Sequence, residues 1–230
     1  MADFAQALPW VLNHEVIGWP VGVSDVAAGM AHVQALGKEH FWFTDDPDDA
    51  GGATAWGLTL YLAKAYGIGT VDDLKAISDE KLAQVYRAAF WRFDALDQRV
   101  ATKLLDLAVN EGLHPAIHLV QAVLYGLGVE ITQDGAWGPN TQTAILASSP
   151  TAILDGLVEE ACDYYQTRVV NRPQSAKFLA GWLIRAKALP PVEPAGSPAP
   201  GAGVAAELTP SADGGSSPAV AITPDEGGAD

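Results

Sequence analysis

A chain of 230 residues, 49% apolar and 18% charged, is long enough to bury a sizeable core as one domain or a domain with a small lobe. Its 28 acids against 13 bases give a net charge of −15, which argues against a nucleic-acid partner and against adhesion to anionic membranes. The single cysteine, Cys162, excludes an internal disulfide framework, and no run approaches the roughly 20 apolar residues of a membrane span.

The N-terminus has neither the basic region nor the apolar core of a signal peptide, so synthesis in the cytoplasm is expected. Asp3 is placed to cap a first helix over 3–15, with Phe4, Leu8, Val11 and Leu12 at helical spacing. Pro9 inside it is expected to kink it. Glu15 falls at its C-terminal end, where the helix dipole disfavours a carboxylate, so apolar surroundings there would favour the neutral acid. Residues 16–23 read as a turn or short strand, and Ser24-Asp25 can cap a helix over 26–36 that Gly37 stops. Residues 38–43 alternate in polarity and predict an edge strand.

The stretch that follows, Asp45-Asp-Pro-Asp-Asp-Ala-Gly-Gly-Ala-Thr-Ala-Trp-Gly-Leu-Thr59, crowds four carboxylates, a Gly-Gly pair, a hydroxyl and an indole between two helical segments. Glycines that permit unusual backbone angles beside carboxylates and Trp56 suggest the edge of a cleft. Beyond it, helices are predicted over 59–66, 79–90, 97–110, 115–125, 140–147, 151–171 and 178–185, with a capped turn at 70–74. Val100, Leu104, Leu107 and Ala108 make one apolar stripe on the 97–110 helix, and Asn110-Glu-Gly112 closes it. Thr132 to Pro139 is a turn broken by Asp-Gly and Gly-Pro pairs. The five histidines are scattered without metal spacing, so packing or surface roles and no structural metal are expected. From Pro190 the chain turns to Pro, Ala, Gly, Ser and acid, a composition that predicts a disordered tail.

Several of these pieces, in this order, resemble the N-acetylmuramidases of glycoside hydrolase family 108, phage-type lysozymes with an appended peptidoglycan-binding-like region. They are Phe4…Ala7-Leu8…Val11-Leu12-Asn-His14-Glu15; Asp46-Pro47…Asp49-Ala-Gly-Gly-Ala-Thr54-Ala-Trp-Gly57; and Tyr86…Phe90-Trp91. Asp106-Leu-Ala-Val-Asn-Glu-Gly112, Asp134-Gly-Ala-Trp-Gly-Pro…Thr141 and Phe178…Gly181-Trp182…Arg185 complete the set. The resemblance implies a mainly α, lysozyme-like α+β fold with a small irregular or β region near the active site. It divides the chain into a catalytic domain over 1–112, a helical peptidoglycan-binding-like region packed on it over 113–189, and the tail over 190–230.

The activity implied is hydrolysis of the β-1,4 bond between N-acetylmuramic acid and N-acetylglucosamine in peptidoglycan. No cofactor is implied, the partner is peptidoglycan, and a monomer is the default. The family's catalytic acid maps to Glu15, and its Asp and Thr map to Asp49 and Thr54. In chemical terms, a neutral carboxylic acid protonates the glycosidic oxygen while a carboxylate and a hydroxyl position water or stabilise the oxocarbenium-like centre. Trp56, Trp91 and Asn110 are the candidate sugar contacts, with burial in the core the alternative for Trp56. This sequence departs from the family in having Val16-Ile17 after the acid and a spacing of thirty-four positions from Glu15 to Asp49. Residues 16–44 therefore read as an insertion lining or lidding the cleft, which brings Glu39 into contention as the acid. A phage or prophage lysis enzyme acting on the wall after release is the natural setting. A non-catalytic wall-binding or structural protein on the same fold, and a lytic transglycosylase, are the alternatives.

Overall fold

In the computed structural model, which describes residues 1–45 and 52–192, Asp3 caps helix α1 (Phe4–Glu15) by accepting from the Ala5 amide at 2.9 Å. Pro9 lies buried in the middle of α1, and the helix continues through it to Glu15. Asp49 and the acidic tail lie outside the described residues. The rest is mostly helical, with one three-stranded antiparallel sheet.

The 16–44 stretch folds around Trp19. Helix α2 (Val26–Ala35), capped by Asp25, packs against α1 and the later helix α5 (Asp79–Phe90). Gly29 lets it do so, because a Cβ there would lie 2.2 Å from the Trp19 ring. The predicted strand over 38–43 is instead a 3-10 turn, Glu39–Phe41, followed by a two-residue strand β1 (Phe43–Thr44). Phe41, Trp42 and Phe43 are all half-buried, so the polarity alternation does not correspond to two faces of a strand.

Strands β2 (Thr54–Ala55) and β3 (Leu58–Thr59) form a hairpin, and β2 also pairs with β1 through Phe43↔Ala55 and Thr44↔Thr54. The predicted helix over 59–66 is found over a shorter span: Thr59 ends β3 and then caps the short helix α3 (Leu60–Lys64), accepting from Leu62 N at 3.3 Å. Trp56 and Gly57 make the hairpin turn with φ of +55° and +77°, the double left-handed geometry of a two-residue type I′ turn. A tryptophan there is strained. Its ring stacks on Trp42 at 5.0 Å, its amide donates to Trp42 O at 2.7 Å, and its carbonyl accepts from the Tyr86 hydroxyl at 2.8 Å.

Helix α4 (Val71–Lys75) opens with a Thr70/Asp73 capping box, and Ser78 and Asp97 cap α5 and α6 (Gln98–Glu111). Every residue of α6 from Val100 to Glu111 is buried. Helices α1, α5, α7 (Leu113–Gly126) and α9 (Pro150–Asn171) pack around it. After α9 a 3-10 segment, Pro173–Phe178, leads to α10 (Leu179–Lys187), which lies along α9. Helix α8 (Pro139–Ala147) packs on α7, and the Thr132–Pro139 turn before it is locked by one buried side chain. Gln121 of α7 donates to Asp134 Oδ1 at 2.8 Å and Thr141 Oγ1 at 3.1 Å, and accepts from Gly135 N at 2.7 Å. Trp137 of that turn meets Phe93 edge-on at 5.2 Å. The turn thus closes the core. Among the described residues, no helix is long and apolar enough to cross a membrane.

Candidate active site

Glu15 ends α1 because Val16, with extended backbone angles, turns the chain away while its amide still bonds to Leu12 O at 2.9 Å. The Glu15 side chain is 5% exposed and lies against the hairpin turn: a Cβ on Gly57 would fall 2.9 Å from its Cβ and 3.0 Å from its Cγ. Tyr86 of α5 stands on the same spot, its hydroxyl 2.6 Å from that imagined Cβ. Burial, and next the charge of Glu15, push the Tyr86 phenol well above its ordinary range. The surroundings of Glu15 are not purely apolar. The guanidinium of Arg185, from α10, forms an ion pair with Glu15 Oε1, a buried oxygen that receives no directional hydrogen bond.

Arg185 in turn belongs to a charged group on α6. Its Nε donates to Asp106 Oδ1 at 2.9 Å and its Nη2 to Asp106 O at 3.3 Å. Lys103, fully buried, lies 3.3 Å from Asp106 Oδ2 and donates at 3.0 Å to the carbonyls of both Arg185 and Ala188. Burial works to raise the Asp106 carboxyl, but Arg185 and then Lys103 outweigh it and hold it below the usual carboxylate range. Burial pulls Lys103 down, opposed by Asp106, and pulls His14 down, opposed by the same carboxylate. These groups lie on opposite sides of the boundary between 1–112 and 113–189.

Thr54 stands at the centre of the sheet, 5% exposed, with its hydroxyl 3.4 Å from Gly52 O. Asp49, its expected companion, lies outside the described residues. The three expected sugar contacts are all buried. Trp56 has no exposed surface and its ring is covered by Trp42. Trp91 is buried between Phe4 and Phe93, with its indole N–H on Asp94 Oδ1 at 2.8 Å. Asn110 is buried and joins α6 to α9 and α10 through Tyr165 and Arg185. Each of these side chains is occupied by protein.

Glu39 is placed quite differently from Glu15. Its side chain is 58% exposed and pairs with Lys75 at 2.6 Å, while the same ammonium sits 4.0 Å from the Phe43 ring centre. Lys103 and Gln121 carry no motif signal in the sequence, and the motifs that contain Asp106 and Arg185 give them no role. The available signal was an i,i+3 pair of opposite charges inside a helix whose neighbours are all apolar or small. Among the described residues, no group of three His, Cys, Asp or Glu could hold a metal ion.

Comparison with known proteins agrees with this architecture. Residues 30–112 match the family model "Glycosyl hydrolase 108" and residues 115–187 match "Predicted Peptidoglycan domain". The first match opens at Met30, so it contains Glu39 and leaves Glu15 outside. A search of curated proteins gave no match. Among solved structures, SagA of Brucella abortus superposes with a TM-score of 0.53 at 23% identity, over 80% of this chain and 92% of that one, a likeness of fold. With a helical body, a small sheet beside a buried carboxylate and both family matches in sequence order, residues 30–112 are similar to glycosyl hydrolase 108 and residues 115–187 to a peptidoglycan domain, which supports a glycoside hydrolase acting on peptidoglycan.

Proposed function

We propose that the chain is an N-acetylmuramidase that cleaves the β-1,4 bond between N-acetylmuramic acid and N-acetylglucosamine, with Glu15 as the general acid. The observation that carries this reading is the seating of Glu15 on the Gly57 turn. Asp49 lies thirty-four positions after Glu15, yet Glu15 touches the hairpin on which the second half of the motif ends. The 16–44 stretch folds as an excursion that leaves and returns, Ile17 N bonding to Phe41 O at 3.1 Å. Long excursions of this kind cost little loop entropy.

In this mechanism the Glu15 carboxyl gives its proton to the glycosidic oxygen as the bond from that oxygen to C1 of muramic acid breaks. Water adds at C1 and loses its proton to a second carboxylate, the role proposed for Asp49, with the Thr54 hydroxyl orienting the water. Lysis of a bacterial host by a phage or prophage is the role proposed for the reaction.

A second reading has one observation in its favour: the family match contains Glu39 and not Glu15. Against it stands the exposure of Glu39, whose side chain is 58% exposed against 5% for Glu15 and so lacks a low-dielectric setting. Mass spectrometry of purified peptidoglycan digested by the wild type, Glu15→Gln and Glu39→Gln separates the two. The expected products are fragments with reducing muramic-acid ends, lost with Glu15→Gln and kept with Glu39→Gln. The reverse pattern assigns the acid to Glu39. Anhydro-muramic ends mean a transglycosylase, and an absence of products from folded wild type removes the catalytic reading. The role in lysis is tested with the same pair: bacteria permeabilised with chloroform should lyse with the wild type and not with Glu15→Gln.

A further inference from the structure

We infer that Arg185 is a positioning residue for Glu15, fixing one oxygen of the acid so that the other carries the proton. The segment matched to the peptidoglycan domain would then complete the reaction site as well as any hold it has on the wall polymer. This inference rests on the reading of Glu15 as the acid.

The direction of anchoring carries the argument. Three groups on α6 fix the guanidinium plane: Asp106 Oδ1 at 2.9 Å, Asp106 O at 3.3 Å and Asn110 Oδ1 at 3.4 Å. The backbone of the same residue is tied to the same helix, because Lys103 Nζ donates to the carbonyls of Arg185 and Ala188. That ammonium sits at the C-terminal end of α10, where the helix dipole favours a cation. Arg185 is therefore tied to α6 in both backbone and side chain. A planar fork held this way presents its remaining edge in a fixed direction, and Glu15 Oε1 lies on that edge.

The charged and titratable groups around Glu15 come from four helices: His14 on α1, Tyr86 on α5, Lys103 and Asp106 on α6, and Arg185 on α10. In this group Lys103 and Arg185 face Asp106 and Glu15. Arg185 is 6% exposed at its side chain and Glu15 5%, which makes the contact an internal brace. A glutamate side chain has three rotatable bonds. With Oε1 beside the Arg185 guanidinium, that oxygen is the one kept free of the proton, and the proton destined for the glycosidic oxygen belongs on Oε2. An acid placed this way loses little by having to search for its geometry at the moment of reaction.

The test uses the full chain as wild type, Arg185→Lys, Arg185→Gln, Asp106→Asn, Glu15→Gln and the double variant Glu15→Gln/Arg185→Gln. Thermal melts first establish which are folded at the assay temperature. The rate of reducing-end release from purified peptidoglycan then gives kcat and KM. Folded Arg185→Lys and Arg185→Gln should lose kcat roughly 10- to 100-fold, the scale of a misplaced catalytic group, with KM within about twofold. The double variant should be no slower than Glu15→Gln alone, because the two residues act as one unit. A folded Arg185→Gln with wild-type kcat, or a loss that falls entirely on KM, overturns the inference. If both Arg185 variants unfold, Asp106→Asn decides, since it keeps Arg185 and removes its ionic anchor. Wild-type kcat there overturns the inference, and a lowered kcat at unchanged KM supports it. Wild-type turnover by Glu15→Gln sinks the underlying reading of the acid. A dead Glu15→Gln beside fully active Arg185 variants sinks this inference alone.

Discussion

A methyl group at position 57 would have to occupy space already taken by the Tyr86 hydroxyl at 2.6 Å and the Glu15 stem at 2.9 Å, on a backbone with φ of +77°. Glycine is required there twice over, for the left-handed angle and for the close approach. Gly57→Ala should therefore lower stability by about 1–3 kcal/mol through backbone strain alone. It should also push the Glu15 carboxyl away from Arg185 or break the bond from Tyr86 to Trp56 O. The two effects separate by measurement: denaturant unfolding reports the first, and turnover on peptidoglycan under conditions where the variant is still folded reports the second. We expect turnover to fall by at least about tenfold, the cost of moving an acid off its reacting geometry. Unchanged turnover in a folded Gly57→Ala would show that contact with the hairpin does not set the position of Glu15. Trp56 next to it follows a different logic. Its positive φ is carried by stacking on Trp42 and by bonds to its amide and carbonyl, so this residue is a structural clamp on the turn.

Helix α6 shows what a sequence pattern can and cannot carry. The apolar stripe of Val100, Leu104, Leu107 and Ala108 predicts a core helix, and a core helix is found, ending one residue later than expected at Glu111. Lys103, Asp106 and Asn110 lie off that stripe, yet they are buried together with Glu111. Their partners lie far along the chain, Arg168 on α9 and Arg185 on α10, and no local periodicity records a pairing across such a separation. Helix ends fared better, because caps such as Asp3, Asp25 and Ser78 act within a few residues of themselves. The candidate site divides along the same line. Glu15 and Thr54 were legible as motif residues, while the burial of Trp56, Trp91 and Asn110 depends on tertiary contacts that their motifs do not encode. The polar face of α6 also makes a prediction of its own. Burial pushes Glu111 from 4.5 up to about 7, against the opposing charge of Arg168, so the folded state holds a proton that the unfolded chain releases. The stability this group contributes is full below about pH 4.5 and is lost as pH rises through about 7. Glu111→Gln removes that dependence. Its melting temperature relative to wild type should climb steadily between pH 5 and pH 8, and a flat or falling difference would contradict the direction of the shift.

On the scale of the whole molecule, charge and architecture bear on the same question of how the polymer is held. Six of the acids fall in the stretch after Pro190, which has no base, so about −9 of the −15 belongs to the remainder. The bases of that remainder are partly consumed inside it: Lys103, Arg168 and Arg185 are committed to carboxylates, and Lys75 and Arg87 pair on the surface. A protein with this balance gains nothing from bulk attraction to an anionic wall polymer, and at low ionic strength the two repel. Salt screens that repulsion, with a Debye length of about 30 Å at 10 mM falling to about 8 Å at 150 mM. Reducing-end release from purified peptidoglycan should therefore stay level or rise as sodium chloride is raised from about 10 to about 150 mM. The internal ion pairs are buried and should be little affected over the same range, which melting curves at the two salt concentrations would verify. A steep fall in activity at constant melting temperature would mean that a basic surface grips the polymer after all. That result would direct attention to the exposed bases of the 115–187 segment, such as Arg172 and Lys177.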